Sequence, residues 1–144
     1  MIFEIRRAVK TDTYEIMHVE TECFKENAFS KSSINYYIKH KRIFVAIDEF
    51  NGIAGYLCVS PVSKSGRQRI YSLAVRERYR GHGIAKRLME IAECNTEATE
   101  LYLEVDSLNK SAIFLYQKLG YEVFGIYEDY YGDHKDALRM QKIV

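Results

Sequence analysis

From Val75 the chain reads Val75-Arg76-Glu77-Arg78-Tyr79-Arg80-Gly81-His82-Gly83-Ile84-Ala85-Lys86. An apolar strand ends, two glycines turn the chain, and a helix follows with Ile84, Leu88, Ile91 and Ala92 on one face. The first amides of a helix have no acceptor of their own, and the helix dipole places positive charge there. Glycine lets an oxyanion approach without meeting a Cβ, and Arg80 and Lys86 add neighbouring charge. The chemistry these residues suit is the binding of phosphate oxygens. A plain tight turn fits the two glycines equally well when nothing else is considered. A Walker loop is excluded because no Gly-Lys-Ser/Thr follows, and a Rossmann fingerprint is disfavoured because two antiparallel strands precede the turn. Nucleotide hydrolysis and hydride transfer recede with them.

Other reactive groups are scattered. Glu104 lies in the run Leu101–Val105, on the opposite face from Leu101, Leu103 and Val105, where the residues alone read as a solvated strand carboxylate. Tyr116 shares a helix face with Ala112 and Leu119, as a core or boundary aromatic would, and its hydroxyl needs a partner. Asn109 suits a helix cap, and Tyr130-Tyr131 are loop aromatics. Cys23, Cys58 and Cys94 are odd in number, widely spaced and form no Cys-x-x-Cys pair, which argues against a disulfide framework and a zinc site. No His partner is evident for any of them, so an acyl-cysteine route is disfavoured. His82, between the glycines, reads as a solvated neighbour of the anion.

The elements that must position these groups are short and alternate. Phe3–Val9 reads as a strand, and Thr11 or Asp12 caps a helix running to Phe24. A linking segment, Lys25 to Phe29, precedes a second helix from Ser30 or Lys31 to His40. Ile43–Ile47 and Ile53–Ser60 form a hairpin whose Asn51-Gly52 supplies positive φ. Arg69–Val75 is a strand, Gly81–Glu93 a helix, Leu101–Val105 a strand, Asn109–Leu119 a helix closed by Gly120, and Tyr121–Tyr127 and Asp136–Ile143 are strands. The order implies an α/β fold: a mixed, mostly antiparallel sheet with helices on both faces.

The chain has 144 residues, 47% of them hydrophobic, which fits one domain spanning 1–144. Its formal net charge is +1, so no global bias draws it to nucleic acid or an anionic membrane. The short run Lys39-His40-Lys41-Arg42 reads as a solvated helix end. The N-terminal residues alternate like a strand, and no stretch approaches 18 apolar residues. A soluble, cytoplasmic protein without membrane or direct nucleic-acid partners is expected.

The turn resembles the signature of the GNAT superfamily, Gln/Arg-x-x-Gly-x-Gly/Ala at a strand-to-helix junction. Arg80, Gly83 and Ala85 match it, and a second register, Arg78, Gly81 and Gly83, also fits. The resemblance covers nearly the whole chain in element order and looks closest to RimI-like and archaeal protein N-terminal acetyltransferases. It rests further on Glu26-Asn27-Ala28-Phe29-Ser30, on Leu103-Glu104-Val105 through Asn109 to Tyr116, and on Tyr130-Tyr131 followed by Asp136-Ala137.

The resemblance implies acetyl-CoA as cosubstrate and no metal. It implies that the amides of Arg80, Gly81, His82, Gly83, Ile84, Ala85 and Lys86 hold the pyrophosphate, and that Leu73, Ala74 and Val75 pair with the pantetheine arm, which Asn109 also bonds. It gives Glu104 the role of general base and Tyr116 that of general acid toward the departing thiolate. Glu26 and Phe29 on one side, and Tyr130 and Tyr131 on the other, become walls of a groove for a peptide's first residues. Glu-Asn-Ala-Phe-Ser departs from the family's usual sequences in that loop, so peptide preference stays open. The expected reaction is acetylation of a protein's N-terminal α-amine, for example of a ribosomal protein. A small-molecule N-acetyltransferase acting on a polyamine or amino acid, and an acetyl-CoA-binding module without catalysis, are the alternatives.

Overall fold

The computed structural model describes residues 2–25 and 28–144. In chain order its elements are β1 (Glu4–Arg7), α1 (Thr13–Phe24), α2 (Lys31–Lys39), β2 (Ile43–Ile47), β3 (Ile53–Val59), β4 (Arg67–Val75), α3 (Ile84–Cys94), β5 (Glu100–Asp106), α4 (Lys110–Lys118), β6 (Glu122–Tyr127) and β7 (Ala137–Ile143). The strands form a seven-stranded sheet in the order β1-β2-β3-β4-β5-β7-β6. Pairing is antiparallel except between β4 and β5, which run parallel over Arg67–Arg69 and Glu100–Tyr102. This is the mixed, mostly antiparallel α/β sheet expected. Two compact units share it, one made of Met1–Ser60 with Tyr71–Cys94 and the other of Pro61–Ile70 with Asn95–Val144. Among the described residues no helix is long and apolar enough to cross a membrane.

In the first unit every residue of β2 and β3 is buried, so both faces of these strands are covered. Helices α1 and α2 pack Ile16, Val19, Ile34 and Ile38 against Ile43, Val45 and Ile53, while α3 lies on β2 and β3 through its own buried Ile84, Leu88 and Met89. A helix the length of α1 is marginal alone. Burying Ile16 and Val19 completely contributes about 1.5–3 kcal/mol each, so packing holds α1 in place.

Local signals account for most boundaries to within a residue or two, and four of the departures from expectation have a visible cause. Asp12 stands at the N-cap of α1, yet its carboxylate turns back to accept from the Val9 amide at 2.8 Å and to pair with Arg6 at 2.7 Å, so it closes the preceding 3-10 turn instead. In the β2–β3 hairpin Asn51 alone takes positive φ, +65°, because the Asp48 carboxylate gathers the amides of Phe50 and Gly52. Strand β4 begins at Arg67, two residues early, where β5 supplies its pairing partner. Helix α3 begins at Ile84 rather than Gly81, since both preceding glycines have φ values a helix cannot use.

In the second unit β5 alternates, burying Leu101, Leu103 and Val105 and turning Tyr102, Glu104 and Asp106 the other way. Strand β7 pairs along its whole length, setting Leu103 opposite Met140 and Glu104 opposite Arg139. Helix α4 is capped by Asn109, whose Oδ1 accepts from the Ala112 amide at 3.2 Å, and is closed beyond Leu119 by Gly120 at φ +97°.

Candidate active site

The glycine turn belongs to the first unit. After β4 a 3-10 turn, Glu77–Tyr79, carries the chain to Arg80, whose guanidinium folds back to donate to the Val75 carbonyl at 3.1 Å. Arg78 lies over the Tyr79 ring instead. Gly81 and Gly83 adopt φ of +85° and +75°, and at both positions the space a Cβ would occupy is open. The first α3 amide to find a backbone acceptor is that of Arg87, which bonds the Gly83 carbonyl at 3.1 Å. Among the described residues the amides from Gly81 to Lys86 are claimed by no other group. Orphan amides at a helix start, beside two glycines with clear space, fit the phosphates of a nucleotide-containing cofactor. Ile84 buries its side chain, leaving only its amide for such a ligand, and the exposed His82 sets its ring 6.0 Å from Phe3.

The strand leading into the turn is shaped for close approach. A Cβ on Gly55 of β3 would meet the Ala74 carbonyl at 2.6 Å, so glycine there lets β3 draw up against Ala74 and Val75. Lys86 lies 4.0 Å from Glu90, one turn on.

Phe29 packs on Tyr37 at 5.5 Å, and Tyr37 on Tyr71 at 5.6 Å, which makes a row of three rings reaching from the α1–α2 loop to β4. The loop is tied down by Glu20, 2% exposed, which accepts from the Phe29 amide at 2.6 Å, from Ser72 at 3.1 Å and from Tyr56. Three donors from three elements offset the cost of burying this carboxylate. Glu26, the other residue assigned to this wall, lies outside the described residues.

The second unit holds the carboxylate. The Glu104 side chain is 3% exposed and set between two guanidinium groups, with Arg69 Nη2 2.6 Å from Oε1 and Arg139 Nε donating to Oε2 at 3.3 Å. The Arg69 approach is an ion-pair contact rather than an aligned hydrogen bond, and among the described residues Oε1 accepts none. That oxygen keeps lone pairs for a further donor. Arg69 also donates to the Tyr130 hydroxyl at 2.9 Å, and Arg139 stacks over Phe124 and Tyr127.

Tyr130 in turn stacks on Tyr127 at 5.4 Å and meets Tyr131 edge-on at 4.9 Å. Burial, then Tyr130, Glu104 and Asp106, push the Tyr131 phenol up to about 12, with Arg69 opposing. Tyr116 is buried against Tyr121, and burial first and Tyr131 second hold its phenol well above the ordinary range. Its proton is therefore held at neutral pH and well above it.

The structure thus brings Glu104, Tyr130, Tyr131 and Tyr116 together in one unit and Leu73–Lys86 with Phe29 in the other. Arg69, Arg139, Glu20, Tyr37 and Tyr71 were not singled out from sequence. Their only signal was position: Arg69 and Tyr71 share the half-exposed face of β4 with Leu73.

The sequence profile described as the acetyltransferase (GNAT) domain matches residues 39–123. The chain is 30% identical to an Arabidopsis thaliana protein, N-terminal acetyltransferase A complex catalytic subunit NAA10, over 96% of this chain and 76% of that one. It is 29% identical to an N-alpha-acetyltransferase of Saccharolobus solfataricus, over 97% and 92%. Among solved structures, Ard1 from Thermoplasma volcanium superposes with a TM-score of 0.88 at 23% identity, covering 100% of this chain and 99% of that one. The ribosomal-protein-S18-alanine N-acetyltransferase from Escherichia coli gives 0.87 at 22%, covering 99% and 94%. At such identities the structures speak for the fold, and the family rests on the sequence matches. The chain belongs to the GNAT acetyltransferase family and is an acetyl-CoA-dependent N-acetyltransferase.

Proposed function

We propose that this enzyme acetylates the α-amino group of protein or peptide N-termini, ribosomal proteins among the candidates, by direct transfer. The observation that carries the reading is the buried Glu104 carboxylate, whose Oε1 is ion-paired with Arg69 but among the described residues accepts no aligned hydrogen bond, beside Tyr130 and Tyr131. Relatives named for N-terminal acetylation, matching nearly the whole chain, support it.

In this reading the amides of Gly81 to Lys86, with Arg80, hold the cofactor's pyrophosphate, while Leu73–Val75 and Asn109 bind its pantetheine arm. The cofactor supplies the activated acetyl group. An α-amine, with an ordinary pKa of about 8, loses its proton far more readily than a lysine near 10.4, so a modest acceptor suffices. Glu104 takes that proton through Oε1, directly or across one water, and Tyr116 returns one to the departing thiolate. Glu26 and Phe29, and likewise Tyr130 and Tyr131, are assigned to contact with the first residues of the peptide.

The test is a library of peptides differing in their first two residues, incubated with acetyl-CoA and read by mass spectrometry. Acetylation at the α-amine of a subset is expected. Turnover confined to polyamines or free amino acids would sink the peptide reading, and tight acetyl-CoA binding with no turnover on any amine would sink catalysis.

A further inference from the structure

Arg69 stands where β4 and β5 pair, with Tyr102 of β5 as its register partner. Its side chain, 32% exposed, reaches two groups from different elements: Glu104 of β5 at 2.6 Å and, through the same Nη2, the Tyr130 hydroxyl in the loop between β6 and β7 at 2.9 Å. Arg139 holds the other Glu104 oxygen from β7 and lies as a cation over the ring of Tyr127, the last residue of β6. Among the described residues Arg69 alone therefore joins the carboxylate to Tyr130 by charge-assisted contacts. A planar guanidinium can make such contacts in fixed directions, which an ammonium cannot.

We propose that Arg69 is a positioning residue, setting the Tyr130 wall of the peptide groove relative to the Glu104 carboxylate, so that the first residue of a substrate is held in register with the proton acceptor. The proposal rests on the N-terminal acetylation reading. It predicts that Arg69 acts chiefly on peptide affinity, through Tyr130, and on turnover through Glu104, with no effect on the glycine turn.

The experiment is steady-state kinetics on a peptide acetylated by the wild-type chain, for Arg69→Met, Arg69→Lys, Tyr130→Phe and Arg69→Met with Tyr130→Phe. Losing one charge-assisted hydrogen bond corresponds to about a tenfold change. Arg69→Met and Tyr130→Phe should each raise the peptide KM about tenfold while the acetyl-CoA KM stays within twofold. The double variant should raise the peptide KM no further than the worse single, because both remove one contact. Arg69→Lys should recover part of kcat but little of the peptide KM, and it carries the test where Arg69→Met does not fold. Independent, multiplying effects on KM, or a fall in Tm with peptide KM unchanged, overturn the proposal. Full recovery of peptide KM by Arg69→Lys overturns it too. A wild-type chain that acetylates no peptide overturns the N-terminal reading itself and takes this inference with it.

Discussion

Glu104 and Arg139 face each other across β5 and β7 as register partners, and the arginine donates to the carboxylate at 3.3 Å. The pair fixes one oxygen and leaves Oε1, beside Arg69, without an aligned donor. Glu104→Gln keeps the size of the side chain but removes the proton acceptor. General acid–base catalysis contributes about 10²- to 10⁴-fold, so kcat should fall at least a hundredfold while acetyl-CoA still binds. Removing the charge also leaves two guanidinium groups without their anion, a loss on the order of 3 kcal/mol that should lower Tm. Glu104→Gln turning over within tenfold of wild type excludes this carboxylate as the base.

Tyr116→Phe separates packing from chemistry. The ring stays against Tyr121 and only the hydroxyl goes. If that hydroxyl protonates the thiolate, kcat should fall by about a hundredfold with KM for acetyl-CoA within twofold. Unchanged turnover in a steady-state assay leaves Tyr116 as a core aromatic, the role its helix spacing first suggested.

What could be read from sequence was what short stretches decide. Ser30 and Asn109 cap their helices by bonding an amide three residues on, and Gly81 and Gly83 turn the chain because their own φ values demand it. The alternation of Leu101, Leu103 and Val105 placed Glu104 on the right face. What that face contained was not legible. Arg139 is 35 residues from Glu104 and meets it only because β7 pairs with β5 in one register, a choice made by the whole sheet. A strand carboxylate that its residues alone read as solvated is thus 3% exposed. Glu20 is a similar case, buried in α1 like the apolar Ile16 and Val19. The donors that make burial of Glu20 tolerable come from β3, β4 and the loop beyond α1.

Gly83→Ala tests the turn. Nothing lies within 4 Å of the added Cβ, so no clash disturbs the protein, but φ is +75°, where a Cβ costs about 1–2 kcal/mol. If the backbone relieves that strain by leaving the positive-φ region, the amides of Ile84 and Ala85 turn away from the anion. Acetyl-CoA affinity should weaken about tenfold, measured by calorimetry, with Tm lowered by a few degrees at most. Equal affinity would mean the pyrophosphate is held elsewhere.

Alkaline pH probes the buried phenols. Tyr116 and Tyr56 are raised well above the ordinary value of 10.0 by burial first, and Tyr131 is raised to about 12 for the same leading reason. In each, the folded state holds the proton more tightly than the unfolded chain. The stability this contributes is complete below pH 10 and is lost as pH rises from there through the folded-state values. A fully buried phenol makes the unfolding free energy fall by up to about 1.4 kcal/mol per pH unit in that window, and the partly exposed Tyr131 by less. The Cys58 thiol, raised by burial from its ordinary 9.0, adds a loss that begins near pH 9, so thermal melts should decline gently from about pH 9 and drop steeply above pH 10. Tyr116→Phe should show a shallower drop than wild type, since one of the three phenols no longer titrates. A wild-type Tm unchanged between pH 10 and 11.5 would show that these phenols ionise as freely in the folded protein as in the unfolded chain, and that the proton Tyr116 is proposed to donate is not held there by burial.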